Sequence, residues 1–124
     1  MKKLFINNRD EMVIINLEHV AYVIADGNCI TLQYILGAKR LLSIGISKFY
    51  SMIVQAYNSS PSCPFVKLGR SVIINQHYLY DIHLLKQTIV LSDDEHTYQV
   101  KVSKSLLKSY KEMIVKLQKP TTSK

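Results

Sequence analysis

Tyr22-Val23-Ile24-Ala25-Asp26-Gly27-Asn28-Cys29-Ile30-Thr31-Leu32 reads as two short β-strands folded back about Asp26-Gly27-Asn28. The flanks are rich in β-branched and aromatic side chains, which suit a pleated, half-buried surface. Between them, Gly and Asn tolerate the positive φ that a tight hairpin turn demands. Working outward, Lys2–Asn7 and Met12–Leu17 have the same strand composition, separated by the turn-forming Asn7-Asn8-Arg9-Asp10. Strands are expected over Val20–Ala25 and Cys29–Leu36. Leu36-Gly37-Ala38 then turns the chain, and Lys39–Ile44 adds a further strand.

The period changes after residue 45. Ile46, Phe49, Tyr50, Ile53, Val54 and Tyr57 recur at helical spacing and form one stripe. Asn58-Ser59-Ser60-Pro61-Ser62-Cys63-Pro64 ends that helix, because proline lacks an amide donor and restricts its predecessor. Strands resume at Phe65–Leu68, Ser71–Asn75, Leu79–Leu84 and Thr88–Ser92, and Asp93-Asp94-Glu95 turns into a partner strand, Thr97–Val102. Leu106, Leu107, Tyr110, Met113, Ile114 and Leu117 make a second helical stripe, with Ser103 as its N-cap and Pro120 at its end. Both stripes read as core faces. No internal repeat is evident. The expected fold is mainly β with two short amphipathic helices, one domain over 1–119 and a loose tail over 120–124.

The chain has 124 residues, enough for one domain, and 48% of them are hydrophobic. Sixteen Lys+Arg against nine Asp+Glu leave a net charge of +7. The excess is lopsided: residues 101–124 hold seven lysines and one acid, Glu112, a net +6. Such a balance favours a polyanionic partner, although a solvated helix face with a basic tail has the same composition. Cys29 and Cys63 form no CxxC pair, so reduced thiols are expected. The N-terminal apolar run is too short for a signal peptide, and no stretch suits a membrane span. A cytoplasmic protein without membrane contact is expected.

Catalytic and metal-binding patterns are not evident. His19, His77, His83 and His96 lack metal-ligand spacing. Cys29 has no adjacent group to form its thiolate and reads as a packed thiol. Asp93-Asp94-Glu95 lacks the alternating ligands of a calcium loop and reads as a solvated hairpin tip. No phosphate loop occurs. The expectation is a non-enzyme with no cofactor and no metal.

A polyanion accounts for more of the residues. Lys101 and Lys104 flank the turn into the second helix, where side-chain charge and free first-turn amides suit phosphate. Arg70, in Leu68-Gly69-Arg70-Ser71, carries a donor fork that matches guanine O6 and N7. Taken alone, Arg70 reads first as an ordinary surface arginine or half of an ion pair.

Three segments taken together resemble the LytTR (LytR/AlgR-type) DNA-binding domain. Tyr22–Leu32 is similar to that family's "YIEADGNYxxI" stretch. Phe65-Val66-Lys67-Leu68-Gly69-Arg70-Ser71-Val72-Ile73-Ile74-Asn75 is similar to its "FxRIHRSxIVN" motif. Tyr98-Gln99-Val100-Lys101-Val102-Ser103-Lys104-Ser105-Leu106-Leu107 resembles its "lPVSRRyl" strand-to-helix turn. The resemblance spans roughly residues 4–117. It implies an elongated set of small antiparallel β-sheets packed together, with loops and turns entering successive major grooves. Carried over by position, the DNA-binding set is Asn28, Lys67, Arg70, Ser71, Lys104 and Ser105. Lys101 and Lys108 join it on charge and helical spacing. Phe65 and Asn75 also match, and are assigned to packing and to a turn hydrogen bond.

Departures bear on specificity. Ile24 replaces the acid before the Asp-Gly-Asn turn, Lys67 an arginine, Gly69 a histidine and Ser105 a second arginine. Gly69 and Ser105 therefore each remove a contact available to the family. The resemblance implies double-stranded DNA with paired repeats as partner and two protein molecules per site, through a homodimer or with a separate signalling partner. A phospho-accepting receiver domain has no room in 124 residues, so control is expected from abundance, dimerisation or another protein. The alternative is an interaction module that keeps the fold, has lost specific reading, and pairs with another regulator.

Overall fold

The computed structural model describes residues 2–117. The expected helix end at Pro120 and the tail over 120–124 lie outside them. Among the described residues, ten strands form three antiparallel sheets. The first is a hairpin of β1 (Lys3–Asn7) and β2 (Met12–Asn16). The central sheet is built from β3 (Val20–Asp26), β4 (Cys29–Tyr34), β5 (Lys39–Leu42), β6 (Phe65–Leu68) and β7 (Val72–Asn75), in the order β5-β4-β3-β7-β6. The third contains β8 (Leu79–His83), β9 (Thr88–Ser92) and β10 (Thr97–Lys101), in the order β10-β9-β8. Helices α1 (Ile46–Ala56) and α2 (Lys104–Leu117) complete the fold. No helix among the described residues is long and apolar enough to cross a membrane.

Alternation along the central strands explains the layering. Val23, Ile30, Leu32, Phe65 and Ile73 point into one core, shared with Leu4, Val13 and Ile15 of the hairpin and Phe49 and Ile53 of α1. Ile24, Leu68, Val72 and Ile74 point the other way, into a second core with Ile89, Leu91 and Val100 of the third sheet and Leu107 and Tyr110 of α2. A sheet covered on both faces needs apolar residues at successive positions, which Val72-Ile73-Ile74 supplies. The hairpin and α1 therefore lie over one face of the central sheet, and the third sheet and α2 over the other.

The expected strands all form: Val20–Ala25 runs on to Asp26, Phe65–Leu68 and Thr88–Ser92 keep their bounds, and the rest are one or two residues shorter. Met12–Leu17 stops at Asn16, because the Asn16 side chain accepts from the Glu18 amide at 3.2 Å and caps a 3-10 turn, Leu17–His19. Cys29–Leu36 stops at Tyr34. There the buried Gln33 amide donates to the carbonyls of Tyr34 (3.0 Å) and Ala38 (3.2 Å), shaping a turn through Gly37. A second 3-10 turn, Gln76–Tyr78, follows Asn75, whose side chain accepts from the His77 amide at 3.0 Å. Thus Ile15-Asn16 with Leu17–His19 and Ile74-Asn75 with Gln76–Tyr78 build the same strand, Asn-capped turn and strand, a short recurrence where no repeat was evident.

The second stripe departs further from expectation. Leu107 and Tyr110 are buried, but Leu106, Met113 and Leu117 are 37%, 41% and 77% exposed. The apolar arc of α2 is wider than the sheet beneath it.

Candidate nucleic-acid interface

β3 runs toward Asp26 and pairs with β7 through Ile24↔Val72, so the β3–β4 and β6–β7 turns emerge at one end of the central sheet. In the first, Asp26 pairs with Cys29, leaving Gly27-Asn28 as the loop. Gly27 alone takes positive φ (+62°), at the position where a tight hairpin turn accepts glycine. Asn28 is exposed on the loop. In the second, Leu68 pairs with Val72 and Gly69-Arg70-Ser71 forms the loop. The carbonyl of Ser71 accepts from the Ala25 amide at 2.8 Å, tying the second turn to the strand that carries the first. Arg70 and Ser71 are exposed; Lys67 is half-buried, and its Nζ donates to the Gly69 carbonyl at 2.8 Å.

Gly69 is a structural requirement of its turn. Its φ is +66°, and a Cβ there would stand 2.8 Å from Leu106 Cδ1. The first turn of α2 thus packs Leu106 over the β6–β7 turn, and Lys104 and Ser105 are exposed in that same helical turn. Ser103 occupies the N-cap position, its carbonyl accepting from the Leu107 amide at 3.0 Å. Its hydroxyl, expected on a first-turn amide, instead sits 3.5 Å from Ser105 Oγ.

Lys101 ends β10 opposite Thr88, and Lys108 lies one helical turn beyond Lys104; Lys101, Lys104, Ser105 and Lys108 are all exposed. The third sheet is fixed by Tyr98, whose hydroxyl donates to the Ile35 carbonyl at 3.0 Å and whose ring meets Tyr22 edge-on at 6.1 Å. Burial, with Tyr98 nearby, raises the pKa of Tyr22. Both ion pairs among the described residues use histidine, His83–Asp81 and His96–Asp93, which leaves the lysines and arginines there without a carboxylate partner. Asp93 is held below its ordinary pKa by the amides of His96 and Glu95, which fold the β9–β10 tip.

Phe65 packs in the first core against the Tyr57 ring, and Asn75 caps its turn, as expected. A further role of Asn75 was not legible: its buried Nδ2 donates to the Val20 carbonyl at 2.9 Å, across 55 residues. At that opposite end of the sheet lies a cleft of about 580 Å³, lined by Glu18, His19, Tyr57, Ser62, Pro64, Asn75, His77 and Tyr78. Its acid and histidines do not converge: among the described residues no three His, Cys, Asp or Glu are placed to share a metal ion. Cys29 and Cys63 are free thiols.

Among the described residues, three small antiparallel sheets and two helices make a mainly β, LytTR-like fold. The chain superposes on the LytTR DNA-binding domain of a Bacillus cereus protein assigned as a methyl-accepting/DNA response regulator. The TM-score is 0.62 at 17% identity, over 92% of this chain and 97% of that one. No family model and no curated protein matches the sequence.

Proposed function

We propose that this chain is a bacterial DNA-binding transcription regulator of the LytTR type, without catalytic activity, that reads double-stranded DNA through turns. The observation that carries the reading is the convergence of the Asn28 turn, the Arg70 turn and the start of α2 at one end of the sheet, with exposed cations free of carboxylate partners. Arg70 and its neighbours Asn28 and Ser71 supply contacts to base edges, and Lys101, Lys104 and Lys108, with Ser105, engage the phosphates. Neutralising about five phosphates gives a slope of roughly −4.5 in log affinity against log salt. Two copies occupy paired repeats.

The test is selection of genomic fragments by the purified chain at about 0.15 M salt, followed by sequencing. Recovery of a paired motif is expected. Recovery of unselected fragments, with affinity collapsing as salt rises, overturns specific reading.

A second reading has one observation in its favour. Lys67 is engaged on Gly69, and the side-chain space at Gly69 is taken by Leu106, so two of the matched positions serve the turn itself. In that reading the fold pairs with another regulator, and the complex forms without a duplex.

A further inference from the structure

The β1–β2 hairpin buries one face and leaves the other bare. Leu4, Val13 and Ile15 enter the first core, while Phe5, Met12 and Ile14 point outward at 55%, 55% and 50% exposure. Phe5 stands directly opposite Ile14, and Met12 is paired with Asn7 on the same face. Cross-strand neighbours at this spacing touch, so the three form one apolar patch on a two-stranded sheet. Charges mark its two ends. Lys3 is exposed at the open end, and Asp10 and Glu11, with Arg9, are exposed at the closed end.

We infer that the outer face of the β1–β2 hairpin is a self-association surface for a second copy of this chain. Two hairpins stacked face to face about a twofold axis across the strands at the Phe5–Ile14 level bury Phe5 and Ile14 against their counterparts. The same axis reverses the strands, so Lys3 of each copy meets the Asp10-Glu11 end of the other. A parallel stack would instead place lysine on lysine and acid on acid, and charge selects against it. Another uncovered apolar pair, Leu106 and Met113 on α2, does not suit a second copy as well: it lines a shallow cleft whose charged residue is Lys67 alone, so a twofold-related copy brings no acid to meet it.

The area sets the strength. Five residues at ~3.3 Å each, on two strands, give a footprint of a few hundred Å² or less, well short of the ~800 Å² per partner of a stable complex. Self-association in free solution is therefore weak, with Kd on the order of 1 mM. It becomes effective when a paired site holds two copies at high local concentration. The hairpin and α2 cover opposite faces of the central sheet, so stacking hairpins leaves the lysines of α2 open. This inference supplies the contact for the two-copy part of the proposed function, but its first test uses no DNA and survives failure of that reading.

The experiment follows amide shifts and translational diffusion of the labelled full chain by NMR from about 0.05 to 3 mM, bracketing the expected Kd. Shift changes confined to residues 3–7 and 10–16, with slower diffusion, are expected. Phe5→Glu, at a half-exposed site, abolishes them without lowering the melting temperature. Lys3→Glu weakens association about fivefold, and Lys3→Glu combined with Glu11→Lys restores it. Absence of concentration dependence over this range overturns the inference. So do changes that map to α2, and so does association indifferent to Phe5→Glu.

Discussion

The two ends of the central sheet are made by the same strands and do different work. At the end where β3 meets β4 and β6 meets β7, the turns are short, glycine-bearing and exposed, and the second carries Arg70 with Lys67 bonded to its Gly69 carbonyl. At the end where β3 begins and β7 stops, two Asn-capped 3-10 turns fold inward, and buried Asn75 bonds to the Val20 carbonyl. One end leaves its polar groups exposed; the other consumes them internally. A polar side chain at a strand end is thus spent on stability or left exposed to solvent according to whether a backbone group from a distant segment reaches it.

Substitutions should separate the two ends. Asn75→Ala removes a cap and orphans a buried carbonyl, and is expected to lower unfolding free energy by about 2–4 kcal/mol in urea titrations. Duplex affinity of the folded fraction should stay unchanged; a parallel loss of binding would break the division between the ends. Arg70→Ala should do the reverse, costing about 1–3 kcal/mol against the selected duplex, little against a random one, and nothing measurable in stability. Equal losses on both duplexes remove its base-reading role, whereas Lys108→Ala should weaken both alike. Gly69→Ala tests where the ends resemble each other, because this exposed turn has a structural demand too. It should cost about 1–2 kcal/mol through positive φ and the Leu106 contact, and Leu106→Ala in the same chain should relieve only the contact.

The smallest effect is a pH dependence on the far side of the sheet. Burial pushes the Tyr110 hydroxyl up to about 12, and it donates to Gln76 Oε1 at 2.7 Å. Its unfolded counterpart ionises near 10, so the folded chain holds the proton over that interval and stability falls as pH rises from about 10 to 12. Below the unfolded value the contribution is fully present. Denaturant midpoints at pH 9 and 11 should differ less in Tyr110→Phe than in the parent chain. Five other tyrosines raised by burial contribute in the same direction.

The elements legible in the sequence are those set by local chemistry. Asp26-Gly27-Asn28, the Ile46–Tyr57 stripe and the Asp93-Asp94-Glu95 tip depend on neighbours within a few residues, and each forms where expected. Phe65–Leu68 and Thr88–Ser92 match to the residue. Pairing of β3 with β7 joins segments some 50 residues apart and leaves no local trace, yet it is what places Asn28 and Arg70 at one end. The 3-10 turns were hidden because an Asn after Ile-Ile extends a strand pattern as readily as it caps a turn. A clue was present in the recurrence of Ile-Ile-Asn at 14–16 and 73–75. The breadth of the α2 stripe was visible, but not that the sheet covers only its Leu107–Tyr110 side.

One sheet serving two cores also has a kinetic meaning. Ile73 and Ile74 are adjacent in β7, each fully buried, and they belong to different cores. Neither core can open without baring a face of the same strand, so the halves melt together as one cooperative unit. Amides of β3 and β7 should then be the last to exchange with deuterated solvent, and only through global unfolding. A lesion at Ile15, beneath the hairpin, would be felt at the Arg70 turn as faster opening, with no displaced atom in the native state.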